Sequence, residues 1–254
     1  MKKVIAALAC SVCLSAFAEP AKPTIVLVHG AFADASSWNG VVKILEHDGY
    51  PVVAAANPLR GVKSDAAAVA NLVSSIHTPV VLVGHSYGGN VITSAADQQA
   101  NVKALVYVSA FAPDAGESVA QLVGQFPGST LGPTLAPPVS LADGGKDLYI
   151  QQGKFHDQFA ADVPAAQAAL MAATQRPLAQ GALDEKTDAA AWKHIPSWYI
   201  YGDHDKNIPP QAMAFMAKRA AAKAVEVVKG GSHVVMVSHP EAVAKLIETA
   251  AAAG

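Results

Sequence analysis

The sequence has few cysteines and few charged residues. Its only cysteines are Cys10 and Cys13, both near the N-terminus, and charged residues make up 15% against 52% hydrophobic residues. This balance excludes a disordered chain or a solvated tail. The net charge of −2 and the lack of a basic cluster exclude a nucleic-acid-binding protein. Internal repeats and low-complexity linkers are absent as well, so the length favours one domain.

The first 18 residues predict a signal peptide. Lys2-Lys3 precedes the apolar run Val4–Phe17, and Ala16-Phe-Ala18 fits a small-x-small cleavage site. Cleavage after Ala18 would give an exported protein, periplasmic or secreted, with no stable membrane insertion because the run is too short to span a bilayer. A lipoprotein attached through Cys10 is a weaker alternative. The exported chain would have no thiol, which excludes a cysteine nucleophile, and no disulfide.

Continuous apolar runs alternate with helix-compatible segments through most of the remaining chain. The pattern predicts an α/β protein with a mostly parallel sheet and helices on both faces. Ser36 or Ser37 is expected to cap the first helix and Ser64 the second. The predicted strands are Thr24–Val28, Pro51–Ala55, Val80–Val83, Ala104–Val108, Trp198–Tyr201 and Val225–Val228. The predicted helices are Trp38–Asp48, Asp65–Ile76, Gly89–Gln98, Pro210–Ala222 and Pro240–Ala252.

The alternation stops between about residues 112 and 193. This segment is rich in proline and glycine, but it also has a helical stretch, Pro164–Thr174, and scattered aromatic side chains. It is expected to be a cap inserted over the strand ends of a domain spanning residues 19–254. A disordered insert is the alternative, and the apolar content of the segment argues against it.

The segment Gly84-His-Ser-Tyr-Gly88 follows an apolar strand and precedes a helix. A serine at such a turn is held in a strained conformation that only small neighbours tolerate, with its hydroxyl pointing out of the sheet. The positive end of the following helix points to the same place. Because a bare Gly-x-Ser-x-Gly also occurs by chance, Ser86 is a candidate nucleophile only together with partner groups.

A serine nucleophile needs a base to take its proton and a carboxylate to orient that base, in the chain order Ser, acid, His at this kind of turn. Asp203 and Asp205 follow one predicted strand, and His233 lies in the glycine-rich loop after the last. Loops at the carboxyl ends of parallel strands share one crevice, so these groups can converge on Ser86. Spacing favours Asp205 but leaves Asp203 open. The expected oxyanion donors are the backbone N–H groups of Ala31 and Tyr87.

These residues resemble the α/β-hydrolase superfamily, and within it the branch of plant methyl esterases and hydroxynitrile lyases with their bacterial esterase relatives. The resemblance implies the α/β-hydrolase fold and assigns the catalytic acid to Asp205. Lyases of this branch carry threonine and lysine where this chain has Gly30 and Val234, which favours ester hydrolysis. The matching segments are Val26-Leu-Val-His-Gly-Ala-Phe32 with Trp38, Gly84-His-Ser-Tyr-Gly-Gly89, Ala110-Phe-Ala-Pro-Asp114, Asp205-Lys-Asn-Ile-Pro209 and Gly230-Gly-Ser-His-Val-Val-Met236.

The sequence and the resemblance together predict a serine hydrolase acting on small, hydrophobic carboxylic esters or lactones. Ser86, His233 and Asp205 would be catalytic, with no metal and no organic cofactor. Phe32, Phe111 and Met236 are expected to line the substrate pocket. Two alternatives remain: lyase or carbon–carbon bond chemistry on the same three residues, and a ligand-binding protein of this fold with little turnover.

Overall fold

A six-stranded, all-parallel sheet forms the centre of the computed structural model, which describes residues 22–253. The predicted signal peptide, residues 1–18, lies outside the described residues. The strand order is β2-β1-β3-β4-β8-β9. These strands are β1 (Thr24–Val28), β2 (Val52–Ala55), β3 (Val80–His85), β4 (Val102–Val108), β8 (Ser197–Gly202) and β9 (Val225–Val228).

The burial of each strand follows its place in the sheet. Every residue of β1, β3 and β8 is buried, as expected for strands covered on both faces. The edge strand β9 alternates instead, with Val225 and Val227 exposed. All six strands that the apolar runs predicted are present, with ends that differ by no more than a few residues.

Helices form two layers against this sheet. The C-terminal helix α9 packs over β3, β4 and β8 with α1 beside it, while α3 packs over β1, β3 and β4 with α2 beside it. The fold class predicted from the sequence is therefore confirmed. The helices of this core are α1 (Asn39–His47), α2 (Val62–Ser74), α3 (Tyr87–Ala95), α7 (Pro210–Arg219), α8 (Val235–Ser238) and α9 (Pro240–Ala252).

Two of the predicted helix caps are wrong. The side chain that caps the chain before α1 is Asp34, which accepts a hydrogen bond from Ser36 N–H at the start of the 3-10 helix Ala35–Trp38. Helix α2 begins at Val62, before Ser64. Its first N–H groups are bound instead by the carboxylate of Glu185, at 2.7 Å and 3.1 Å. The carboxylate that caps α2 comes from a remote part of the chain, so the local sequence could not reveal it.

The segment between β4 and β8 folds over the carboxyl ends of the strands. Phe155 and Phe159 are fully buried within it. It contains the helices α4 (Val119–Gln125), α5 (Gln152–Phe159) and α6 (Ala165–Thr174), and an antiparallel sheet of β5 (Val139–Ser140), β6 (Lys146–Leu148) and β7 (Leu178–Ala179). We call residues 112–193 the cap.

The base of the cap is held to α7 by one arginine. The guanidinium of Arg219 donates to both carboxylate oxygens of Glu117, at 2.7 Å and 2.8 Å, and to the carbonyl of Ala112. The indole N–H of Trp192 donates to the carbonyl of Pro113 at 2.8 Å. Both ends of the cap are therefore joined to each other and to the core. No helix among residues 22–253 has the length and apolar character needed to cross a bilayer.

Candidate active site

Ser86 stands at the turn between β3 and α3 with an unusual backbone conformation, φ 53° and ψ −123°. A positive φ is strained for a residue with a β-carbon. Glycines on either side make the turn possible, because a β-carbon on Gly84 would lie 2.6 Å from the carbonyl oxygen of Gly88, and one on Gly88 2.5 Å from that of Val28. The sequence signal for a strained serine turn therefore has a steric basis.

Backbone hydrogen bonds hold this strained turn in place. Ser86 N–H donates to the carbonyl of Val108 at 3.2 Å, and the Ser86 carbonyl accepts from the N–H groups of Gly89 and Phe111 at 3.0 Å and 3.2 Å. Strained conformations persist only where the surrounding structure fixes them in this way. The turn is thus fixed by β4 and by the chain just after it.

Asp205 lies in the loop after β8 and is buried. Its Oδ1 accepts from the backbone N–H groups of Asn207 and Ile208, at 2.8 Å and 3.0 Å. Its Oδ2 lies 2.6 Å from Nδ1 of His233. Three donors on one carboxylate fix its orientation. The alternative acid, Asp203, is partly exposed and accepts a hydrogen bond from Gly230 N–H at 2.6 Å. It closes a turn, and the carboxylate bonded to His233 is that of Asp205.

His233 is almost completely buried, and its hydrogen bond to Asp205 leaves Nε2 for the cavity in front of Ser86. A second histidine supports it: His85 Nε2 donates to the His233 carbonyl at 3.1 Å, and the two rings are 4.8 Å apart. Burial holds the pKa of His85 well below its usual range, so that ring is neutral. The ring of Phe159 packs edge-on against His233 at 5.0 Å.

Ser86 and His233 line one cavity. Within the described residues no hydrogen bond joins Ser86 Oγ to the imidazole. Such contacts are often long without substrate and tighten only in the substrate complex. His85, the residue before Ser86, is also bonded to the backbone carbonyl of His233, which ties the serine turn to the histidine loop. The structure therefore brings together Ser86, Asp205 and His233.

Ala31 and Tyr87 line the same cavity, and neither backbone N–H has a hydrogen-bond acceptor among residues 22–253. His29 fixes the loop that presents Ala31: its Nε2 accepts from Asn57 N–H at 3.1 Å, which leaves Nδ1 to donate to the Gly30 carbonyl at 2.9 Å. Burial lowers the pKa of His29 and favours this neutral form. Two free N–H groups beside a serine can bind a developing oxyanion.

Asp65 is a buried carboxylate next to this site that sequence reasoning missed. Its Oδ2 accepts from the Tyr87 hydroxyl at 3.0 Å, and both oxygens accept from Arg60 N–H at 3.1 Å. Burial raises the pKa of Asp65, and burial also raises the pKa of Tyr87, which keeps its hydroxyl protonated as the donor. The only sequence signal was an acidic residue at a helix start, which is common and gives no hint of this partner.

A reciprocal amide pair joins the cap to the loop that carries Asp205. Gln158 Nε2 donates to Asn207 Oδ1 at 3.1 Å and to the Lys206 carbonyl at 3.0 Å, and Asn207 Nδ2 donates to the Gln158 carbonyl at 3.2 Å. The N–H of Thr130 also donates to the Lys206 carbonyl. The orientation of Asp205 therefore depends in part on the cap, which the sequence did not reveal.

The cavity in front of Ser86 has a volume of about 390 Å³ and a mainly apolar surface. Among residues 22–253, no acidic residue, lysine or arginine lines it, so an uncharged ligand is favoured. Phe32 and Phe111 line the cavity. Its lining consists of Ala31, Phe32, Ser86, Tyr87, Phe111, Val119, Ala120, Val123, Gly124, Ser129, Leu131, Gly132, Leu135, Phe159, Leu178, Leu183, Asn207, Ile208 and His233.

The expectation that Met236 lines this pocket is wrong. Met236 lies in α8, a short helix that packs against α1 and the 3-10 helix Ala35–Trp38, and its side chain is completely buried there. Helix α8 begins two residues after His233 and directs Met236 into the core. No group of three or more potential metal ligands occurs among the described residues.

The chain belongs to the alpha/beta hydrolase family, whose model matches residues 25–246. It is 27% identical over 251 residues to the alpha/beta hydrolase nvfD of Aspergillus novofumigatus, covering 91% of this chain and 97% of that protein. It is 26% identical over 245 residues to an alpha-hydroxynitrile lyase of Arabidopsis thaliana, covering 87% and 93%. The family predicted from the sequence motifs is confirmed.

Solved structures agree with this fold. Polyneuridine aldehyde esterase superposes with a TM-score of 0.76 at 19% identity, covering 90% of this chain and 98% of that one. A methylesterase from Arabidopsis superposes with a TM-score of 0.72 at 18% identity, covering 91% and 100%. Esterases share this architecture and a lyase is among the sequence relatives, so the chemistry of this chain has to be argued from its own site.

Proposed function

We propose that the protein is a serine esterase that cleaves small, uncharged, hydrophobic carboxylic esters. The observation that carries the proposal is the hydrogen bond between Asp205 Oδ2 and His233 Nδ1, which turns the imidazole Nε2 toward a cavity that also holds the strained Ser86. A serine hydroxyl is a weak nucleophile, and a base oriented in this way is what activates it.

In the first half-reaction, Ser86 Oγ attacks the acyl carbon while His233 Nε2 takes the hydroxyl proton. The tetrahedral oxyanion accepts hydrogen bonds from the N–H groups of Ala31 and Tyr87. Asp205 stabilises the imidazolium without taking its proton. As the intermediate collapses, the imidazolium gives that proton to the departing alcohol, and the acyl group stays on Ser86.

In the second half-reaction, water attacks the acyl carbon of the acyl-enzyme, and His233 takes a proton from that water. The second tetrahedral intermediate collapses, the proton passes to Ser86 Oγ, and the carboxylic acid leaves. This sequence consumes one water and one ester and needs no group beyond the residues named here. The apolar cavity fits the neutral ester better than the carboxylate product, since a charge has no partner there.

Lyase chemistry is the second candidate, because one relative is an alpha-hydroxynitrile lyase. The residue after His233 is Val234, which is apolar and completely buried. No lysine stands at this position to stabilise a departing cyanide, so the site favours ester hydrolysis. Cleavage of mandelonitrile without turnover of any ester would reverse this preference.

The test is hydrolysis of a panel of nitrophenyl esters, aryl methyl esters and lactones by the wild type and Ser86→Ala. The wild type should turn over uncharged esters, and Ser86→Ala should lose at least about 10³-fold in kcat. A fluorophosphonate probe should label the wild type at Ser86 and leave Ser86→Ala unlabelled. Equal rates in both proteins would overturn the mechanism, while probe binding without turnover would indicate a ligand-binding protein.

We further propose that the protein is exported, on the pattern of residues 1–18 described above. N-terminal sequencing of the protein recovered from the periplasm or medium should begin at Glu19. A chain that stays in the cytoplasm with Met1 intact would contradict this.

A further inference from the structure

A second cavity of about 380 Å³ lies next to the one that holds Ser86. It is formed between the chain at the start of α1 and the cap helix α6. Its lining is more polar than that of the catalytic cavity and includes both an acid and a base. The lining residues are Phe32, Ala33, Asp34, Ser36, Ser37, Asn39, Gly40, Lys43, Gln167, Leu170, Met171, Thr174, Gln175 and Val237.

Phe32 is the one residue that both sets of lining residues share. It directly follows Ala31, whose N–H is a proposed oxyanion donor. Phe32 therefore borders both the catalytic cavity and the polar cavity.

The position of this ring is fixed by three features. The backbone of Phe32 has φ 60°, which a residue with a β-carbon adopts only under constraint. Its N–H donates to the carbonyl of Arg176, just after α6, at 3.1 Å. Its ring meets that of Phe159 edge-on, with centroids 6.2 Å apart and planes at 86°. Core, cap and ring packing thus hold one aromatic side chain between two cavities.

We propose that Phe32 determines the size specificity of the esterase, by limiting the substrate to the apolar cavity and closing off the polar one. This inference rests on the proposed esterase function. An ester that fills the first cavity meets the ring, so further methylene groups have no surface to contact. Removing the ring would join the cavities and open a path to the side chains of Lys43 and Gln167, which line the polar cavity. Long acyl chains with a hydrogen-bonding distal end, a terminal hydroxyl or amide, would then fit.

The test compares nitrophenyl esters of rising acyl length, each with a methyl, hydroxyl or carboxamide end, on the wild type and Phe32→Ala. For the wild type, kcat/KM should rise about fourfold per methylene while the chain stays in the apolar cavity and then fall. In Phe32→Ala the maximum should move to longer chains. The first ester that the wild type rejects should gain at least about tenfold, and more when its end is polar.

Phe111→Ala is the matched control, because Phe111 lines only the catalytic cavity. It removes the same ring without joining the cavities, so it should not create a preference for a polar end. Met171→Trp in the Phe32→Ala background fills the polar cavity and should cancel the gain. Phe32→Leu replaces Phe32→Ala in this assay if Phe32→Ala does not fold. It should shift the acyl length of highest kcat/KM in the same direction by a smaller amount.

The outcomes separate the two proposals. If the wild type hydrolyses no ester, the esterase function fails. If it hydrolyses esters and Phe32→Ala and Phe32→Leu keep the wild-type length maximum, the role of Phe32 is wrong. A gain in Phe32→Ala that Phe111→Ala reproduces, or that Met171→Trp leaves intact, also overturns the inference.

Discussion

The hydroxyl of Tyr87 donates a 3.0 Å hydrogen bond to Oδ2 of Asp65, which joins the start of α3 to the start of α2. Arg60 extends this contact to the cap. Its N–H donates to Asp65, and its guanidinium donates to Asp147 in β6 at 2.7 Å and to the Pro177 carbonyl at 2.9 Å. The residue proposed to bind the oxyanion is thus connected to the cap through one buried carboxylate.

Asp65→Asn should change how stability depends on pH. Burial raises the pKa of Asp65 in the folded protein above its ordinary value of 3.8, so between these two pKa values the folded state binds more protons than the unfolded state. The stabilisation from this group is therefore present below the unfolded pKa and is lost as the pH rises through the folded pKa. Asparagine does not titrate, so the variant lacks this loss.

Urea unfolding of both proteins across a pH series measures this effect. The free energy of unfolding of the wild type minus that of Asp65→Asn should fall as the pH rises from below 3.8 through the folded pKa. A difference that rises with pH would mean that the carboxylate is stabilised, not destabilised, by its surroundings. Subtracting the variant removes the contributions of other acids, which are common to both proteins.

Asp205→Asn should lower kcat by about 10³- to 10⁴-fold with the fold intact. An asparagine can keep its oxygen toward the N–H groups of Asn207 and Ile208, but its NH₂ then faces His233 Nδ1. The imidazole must accept that hydrogen bond, which places its own proton on Nε2, and it can no longer act as a base toward Ser86. Steady-state kinetics with a nitrophenyl ester measures the loss.

Asp203→Asn is the control for this substitution, since Asp203 contacts the Gly230 N–H and not the histidine. It should change kcat by no more than a few fold. Equal losses of kcat in the two variants would mean that disturbing the loop after β8 causes the loss, and not the change of the Asp205–His233 hydrogen bond.

Gly30→Ala should damage the site through sterics alone. The added β-carbon would lie 2.6 Å from the Ser86 β-carbon and 2.7 Å from the His85 carbonyl oxygen. Displacing the nucleophile and the oxyanion loop should lower kcat by about 10²-fold and cost about 1–3 kcal/mol of stability. Kinetics and thermal unfolding measure the two effects. Gly153→Ala, in α5 with open space around it, should instead be neutral or stabilise by up to about 1 kcal/mol.

Glu185→Ala should destabilise the protein by about 1–2 kcal/mol, because it leaves the N–H groups of Val62 and Lys63 without their acceptor at the start of α2. Denaturant unfolding measures the cost. Glu46→Ala, at an exposed position of α1, should stay within about 0.5 kcal/mol of the wild type. If the two substitutions cost the same, the carboxylate of Glu185 does not cap the helix.

Local sequence predicted the features that depend on neighbouring residues. Thr24–Val28 is a strand because five consecutive apolar or β-branched residues suit a sheet that is buried on both faces. The turn at Ser86 was visible because small residues must flank it. The same reasoning brought Asp205 and His233 to one edge, since carboxyl ends of parallel strands lie together.

Contacts between remote parts of the chain were not visible. Helix α2 starts at Val62 because Glu185, which lies far along the chain, binds its first N–H groups. Asp65 acquires its partner Tyr87 only when α2 and α3 pack together. The cap gave the least information, since single side chains such as Gln158 and Phe159 make its contacts with the core, with no periodic pattern to mark them.

The amide pair of Gln158 and Asn207 has a consequence for redesigning this protein by exchanging its cap. A foreign cap grafted between β4 and β8 would remove the glutamine that steadies the loop of Asp205 and would leave Asn207 with unmet donors and acceptors. Chimeras should therefore keep Gln158 together with helix α5, or replace the loop after β8 together with the cap.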